Sequence, residues 1–346
     1  MSSNLLVQSL QHCPDLFDLV ESNPDRYPFL LENSGEPSEL GHFDILFAYP
    51  GSVLKSASDG SVTVDGIPVE STTFLDQLDL IFTSSSSADD QADHNLPFSG
   101  GWFVYLGYEL VAEIEPTLAD ALHQAELPTA VMTEIRAGIV RDRLAGKDYV
   151  FARGPGAEQM LSAILEDSRT LHPDNPHSIA DCDINEEGEQ QFIESVKRVK
   201  RYIRDGDVFQ VNLSRRWQAN CGESLPVYTA WRKLRTSNPS PFAAYARLDD
   251  DTTILSSSPE RLVSVHDDVV RTRPIAGTYP RSEDNEIDSR LSAELLLHPK
   301  ERAEHIMLVD LERNDLGRIC QPGSVNVEDM MVLETYAHVH HIVSGV

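Results

Sequence analysis

Residues 271–319, RTRPIAGTYPRSEDNEIDSRLSAELLLHPKERAEHIMLVDLERNDLGRI, pass from a short apolar stretch between arginines into a long helical segment. The first part closes the strand-like run RLVSVHDDVVRTRPI. The second, from Ser289 onward, reads as helix interrupted at Pro299, where the missing N–H breaks the ladder. PFAAYARLD and TTILSSS, just upstream, read as further strands. Downstream, YAHVHHIVS alternates with a period of two. Sets of antiparallel-looking strands with helices between them predict an α+β fold rather than a doubly wound sheet.

The earlier chain extends this pattern. FDILFAYPGS and SVTVDGIPV read as strands flanked by turn residues, and TAVMTEIRAGIVRDRLAGKDYVFARG as a strand and hairpin. GAEQMLSAILEDSRTL has helical spacing. Residues 84–95 have the composition of a surface loop. Residues 169–185 form the best linker, separating an N-terminal region 1–168 from a second region 186–346. EGEQQFIESVKRVKRYIRDGD then reads as an amphipathic helix stopped by Gly206, followed by a strand VFQVNLSRRW and a helix SLPVYTAWRKLRTSN.

Composition limits the partners. The 346 residues carry 28 Lys plus Arg against 56 Asp plus Glu, a formal charge of −28. That balance argues against nucleic acid and anionic membrane, and a local basic cluster such as 271–281 points instead to a small anion. No apolar run reaches the roughly 18–20 residues that span a bilayer. The N-terminus lacks the basic start of a signal peptide. Cys13, Cys182, Cys221 and Cys320 form no CxxC pair, so reduced thiols and a cytoplasmic location are expected.

Several short motifs offer chemistry, and each has an ordinary reading beside it. GDVFQVNLSRR puts Gln210, Asn212 and Ser214 on one face of a strand, which is also what a solvated face looks like. SSSPER aims Glu260 from a proline turn, into a pocket or into water. Gly277 allows close approach to a ligand, and Thr278 offers a hydroxyl. Glu301 and Glu304, at i and i+3 of a helix, can share a hard cation or simply be solvated. His338 and His340 share a face opposite His341, a split that argues against zinc and leaves a single imidazole as acid or base, or simply packed.

GDVFQVNLSRR, NPSPF, SSSPERL, TRPIAGTYPR, ERAEHIMLVDLERNDLGRI and HVHHIVS together resemble the chorismate-utilising enzymes, in their order. The likeness is strong over 190–346, and PFSGGWFVYLGYELVAEIEP extends it into the first half. It implies a sandwich of antiparallel sheets flanked by helices, like component I of anthranilate synthase, with 186–346 as an incomplete chorismate-binding domain. It also implies Mg²⁺ held by Glu304 with Glu301 beside it, Glu260 as general acid, and His341 near the substrate ring. Gly277, Thr278 and Gln210 would line the substrate pocket, leaving Arg271 and Arg273 to flank the strand.

Within that family, water-using members carry a base lysine where this chain has Gln210, so ammonia is the expected nucleophile. Ala276 stands where PIKGT-type enzymes carry a nucleophilic lysine, and a methyl cannot attack. FDILFAYPG and LGYELVAEIEP resemble PIAGT-type aminodeoxychorismate synthases. That implies 4-amino-4-deoxychorismate for 4-aminobenzoate and folate synthesis, with ammonia from a glutamine amidotransferase subunit; anthranilate is the alternative product. FLLENSG resembles the LLES segment of tryptophan-inhibited enzymes, with Asn33 in place of serine. By the same resemblance the family continues for about a hundred residues past HHIVSGV. A chain of this extent is expected to have little activity alone, and a non-catalytic remnant that binds the amidotransferase remains the alternative of another class.

Overall fold

The computed structural model describes residues 5–11, 13–38, 41–70, 72–85, 96–121, 127–170, 182–221 and 227–346. Most of the 84–95 loop and of the 169–185 linker therefore lies outside the described residues. The chain divides into one compact unit of Met1–Pro173 with Lys233–Val346 and another of Asp174–Arg232. No helix among the described residues is long and apolar enough to cross a membrane.

In chain order the first elements are β1 (Leu5–Leu10), α1 (Leu16–Ser22), β2 (Phe29–Glu32), β3 (Phe43–Ser56), β4 (Val62–Val64) and β5 (Ile67–Pro68). They continue with α2 (Phe74–Ser85), β6 (Gly101–Leu106), α3 (Val111–Ile114), β7 (Ala130–Asp142), β8 (Lys147–Arg153) and α4 (Ala157–Thr170). The smaller unit supplies β9 (Asp183–Glu186), α5 (Glu189–Asp205) and β10 (Trp217–Asn220). After α6 (Val227–Ser237) come β11 (Phe242–Arg247), β12 (Thr253–Ser258), β13 (Ser264–His266), β14 (Val269–Arg271) and β15 (Ile275–Pro280). The last elements are α7 (Asn285–Leu297), α8 (Pro299–Gly317), β16 (Glu328–Thr335) and β17 (Val339–Gly345).

Ten described strands form one sheet in the order β1-β8-β7-β3-β2-β11-β12, with β4, β5 and β6 attached beside it. Its pairs are antiparallel, so the expected α+β class holds. The spine is β3 against β7, and alternate side chains turn inward there: Leu46, Ile135 and Ile139 are fully buried. Phe29 stacks on Phe103 with centroids 3.9 Å apart, and Phe17 meets Tyr245 edge-on at 5.3 Å. α4 lays Met160, Ile164 and Leu165 against β1, β7 and β8. Arg235 of α6 ties this sheet to α1 by pairing with Glu32 at 2.9 Å and Asp15 at 2.8 Å.

Two sequence readings change. VFQVNLSRRW is not a strand throughout: only β10 is, paired with β9, while 208–216 carries no strand pairing. A period-two pattern needs a partner ladder, and this stretch finds none among the described strands. RLVSVHDDVVRTRPI is not one strand but the β13–β14 hairpin, turned at Asp267 with φ +52°, followed by β15. The α7–α8 boundary matches the expected interruption, since Pro299 opens α8 at a position with no intrahelical N–H to lose. Gly206 caps α5 in the left-handed region at φ +83°.

The cysteines correct another expectation. Cys182 and Cys221 are bonded, Cα to Cα 4.3 Å, while Cys13 and Cys320 are free. Thirty-nine residues separate the pair in sequence. The antiparallel register Asp183↔Asn220 brings them together, which spacing alone does not show.

Candidate active site

The site is built on a small sheet in the order β15-β17-β16, backed by α7 and α8. β15 is the TRPIAGTYPR strand. Gly277 sits there at φ +91°, and a Cβ on it would fall 3.1 Å from Ile342 Cδ1 and 3.3 Å from Glu301 Cβ. Any other residue would strain the backbone and push against α8, so glycine is what lets β15 lie on the Glu301 turn. Thr278 pairs with His341 across to β17, and Thr278 Oγ1 lies 2.8 Å from His341 Nδ1.

Glu260 joins from the turn after β12. Its Oε1 accepts a hydrogen bond from Ile275 N at 3.1 Å, and Ser258 Oγ donates to its carbonyl at 3.0 Å. Partial burial raises its carboxyl above the usual range, Ile275 N–H opposes that, and Glu312 adds to it. His341 is buried, and burial lowers its imidazole, with Glu334 opposing and His340 reinforcing. Tyr336 meets its ring edge-on at 5.4 Å. A cleft of about 220 Å³ opens between Pro259, Ser257, Tyr336 and His341.

Glu301 and Glu304 lie on one turn of α8, the first with its side chain only 16 % exposed. Among the described residues no group of three or more His, Cys, Asp or Glu side chains gathers as a metal cage. A pair of carboxylates fits a hard dication that fills its shell with water and substrate oxygens, and not a cage-bound metal. Gln210 belongs to the 174–232 unit, on the stretch between α5 and β10, and is not one of this sheet's own residues. Glu260, Gly277, Thr278, His341 and Glu301 thus meet around one strand.

The arginines that open the question of charge are answered by the same sheet. Arg273 donates to Glu334 Oε1 from Nη2 at 2.6 Å and from Nε at 2.9 Å, and Tyr336 OH donates to the other oxygen at 2.5 Å. Arg281 holds Asp288 at 2.9 Å, and Arg271 lies 3.8 Å from Glu328. Their charge is spent on local carboxylates, so the expected small-anion cluster does not form.

Sequence reasoning missed Asp288, Tyr336 and His305. Asp288 Oδ1 accepts from Arg281, from Ser282 N at 2.9 Å and from His340 Nε2 at 3.0 Å. Those donors, Arg281 foremost, hold its carboxyl well below the usual range. His305 is fully buried in the AEH motif, and burial lowers its imidazole. The available signal was a histidine four residues after Glu301 on the same helical face. Elsewhere in the unit, a cleft of about 730 Å³ borders Asn33, Arg143 and Arg281. Asn33 spends its side chain on its own loop, donating to Glu36 O at 3.0 Å and to Gly41 O.

A profile of the chorismate binding enzymes matches residues 27–346. This chain belongs to that family. It is 36 % identical over 285 residues to the anthranilate synthase component I-like protein of Synechocystis sp., covering 81 % of this chain and 57 % of that one. It is 38 % identical over 273 residues to aminodeoxychorismate synthase component 1 of Bacillus subtilis, covering 75 % and 57 %. The chain thus spans less than two thirds of the length of these curated relatives. The crystal structure of anthranilate synthase component I from Streptococcus pneumoniae superposes with a TM-score of 0.72 at 28 % identity, over 90 % of this chain and 70 % of that one. The family and its fold agree with the motif resemblance.

Proposed function

We propose that this chain is the component that aminates chorismate to 4-amino-4-deoxychorismate, using ammonia from a glutamine amidotransferase subunit. The observation that carries the reading is the meeting of Glu260, Thr278 and His341 around β15. Glu260, with its raised carboxyl, protonates the departing 4-hydroxyl, which leaves as water. The ammonia nitrogen forms the new C–N bond and passes its surplus proton to the buried neutral imidazole of His341, oriented by Thr278. Ala276 is buried with only a methyl, so no lysyl intermediate forms.

Glu301 and Glu304 would hold Mg²⁺. An ion held there would supply positive charge to neutralise a substrate carboxylate. The protein's own contribution is a close, shaped wall: Gly277 leaves the Glu301 turn open to the strand, and Thr278 and His341 fix its polar edge. The second reading, anthranilate formation, is favoured by the comparable identity to a relative of that name. Incubating the chain with chorismate, ammonium and Mg²⁺ tests the amination. Chorismate loss that requires ammonium supports it; loss independent of ammonium refutes it.

A further inference from the structure

β15 pairs with β17 through Ile275↔Val343 and Thr278↔His341, so three steps on one strand match two on the other. That extra residue is a bulge at Ala276 and Gly277, immediately before the site residue Thr278. β16 pairs with β17 through Glu328↔Gly345 and Val332↔Val343, four steps against two, with Met331 at φ +57°. The central strand therefore carries an irregular neighbour on each side.

One buried hydrogen-bonded chain spans both. His305 Nδ1 lies 3.1 Å from Ala276 O, and a carbonyl only accepts, so Nδ1 carries the hydrogen. His305 Nε2 lies 2.7 Å from Ser344 Oγ, which itself accepts from Met331 N at 2.8 Å. In the neutral imidazole the hydrogen on Nδ1 leaves Nε2 as an acceptor, so the serine hydroxyl donates to it at 2.7 Å rather than to Met330 Sδ at 3.8 Å, completing Ala276 O ← His305 ← Ser344 ← Met331 N. His305 and Ser344 are both fully buried, where a missing partner is costly.

We propose that His305 is a positioning residue: it holds the bulged Ala276 carbonyl against α8, and so sets Gly277 on the Glu301 turn and Thr278 opposite His341. Its consequence for chorismate rests on the proposed amination, but its consequence for His341 does not. Asn in place of His305 keeps a short N–H donor near Nδ1, whereas Leu keeps apolar bulk and no donor. A packing role makes His305→Leu the milder change. A positioning role makes His305→Asn the milder one.

Two readouts on the full chain test this. Histidine-selective ¹⁵N NMR of the wild type should show one imidazole with a slowly exchanging Nδ1–H and an accepting Nε2. In His305→Leu that signal disappears and the His341 signals shift; in His305→Asn the His341 signals stay. Chorismate affinity should fall at least tenfold in His305→Leu and less than threefold in His305→Asn. Unshifted His341 signals in a folded His305→Leu chain, or larger shifts with Asn than with Leu, overturn the proposal. Absence of chorismate binding by the wild type removes the amination reading while the NMR comparison still decides the positioning role.

Discussion

Thr278 Oγ1 and His341 Nδ1 are 2.8 Å apart across β15 and β17, although the two residues lie 63 positions apart in the sequence. This contact fixes the ring of a buried imidazole that faces Tyr336 and the small cleft. Thr278→Val keeps the shape of the side chain and removes its hydroxyl. Chorismate turnover should fall about tenfold, the order of one lost polar contact at a reacting group, while Thr278→Ser stays near wild type. Equal loss in both variants would show that the hydroxyl is not what matters.

Glu260 is the proposed proton donor, and its carboxyl is raised by partial burial and by Glu312. Glu260→Gln should reduce turnover by roughly 10²–10⁴, the usual share of general acid catalysis, without changing the circular dichroism spectrum. The sign of the pH effect follows from the raised value. The acid form persists to higher pH than for a free glutamate, and turnover at a fixed free-ammonia concentration falls as pH rises through the folded value. With the free-ammonia concentration held constant, a wild-type rate that climbs through that range would contradict the assignment.

Glu32 gives a stability test away from the site. Burial pushes its carboxyl up from 4.5 to about 7 against the pull of Arg235. Its stabilising contribution is complete below pH 4.5 and is lost as pH rises through about 7. Relative to Glu32→Gln, the wild type should lose about 2–3 kcal/mol in urea unfolding between pH 5 and pH 8, at 1.36 kcal/mol per pH unit. Parallel pH profiles for the two proteins would remove the buried-acid account.

The thiols separate by partner and burial. Burial pushes the Cys13 thiol up to about 12 despite the nearby Arg141, so little thiolate forms there. Alkylation of the unreduced chain at pH 7.5 should mark Cys320 before Cys13 and leave Cys182 and Cys221 unmodified. Dithiothreitol should expose the latter two. Rapid labelling of Cys182 without reductant would contradict the bond.

The fold class was legible because long regular patterns state their own period, as in FDILFAYPGS for β3 and GAEQMLSAILEDSRTL for α4. VFQVNLSRRW misled because alternation does not say whether a partner strand exists. Glu260, Gly277, Thr278, His341 and Glu301 were named from motifs, and their meeting around β15 needed coordinates. His305 and Asp288 escaped because burial and cross-element hydrogen bonds, not residue type, make them informative. The Cys182–Cys221 bond depended on a strand register that spacing cannot reveal.

The central claim is amination of chorismate at C4, and product identification tests it most directly. The purified chain is incubated with chorismate, ammonium and Mg²⁺, and the products are separated. The account predicts slow, Glu260-dependent formation of 4-amino-4-deoxychorismate, which yields 4-aminobenzoate only after a lyase is added. Fluorescent anthranilate, or chorismate loss no faster than in a protein-free control, would contradict it.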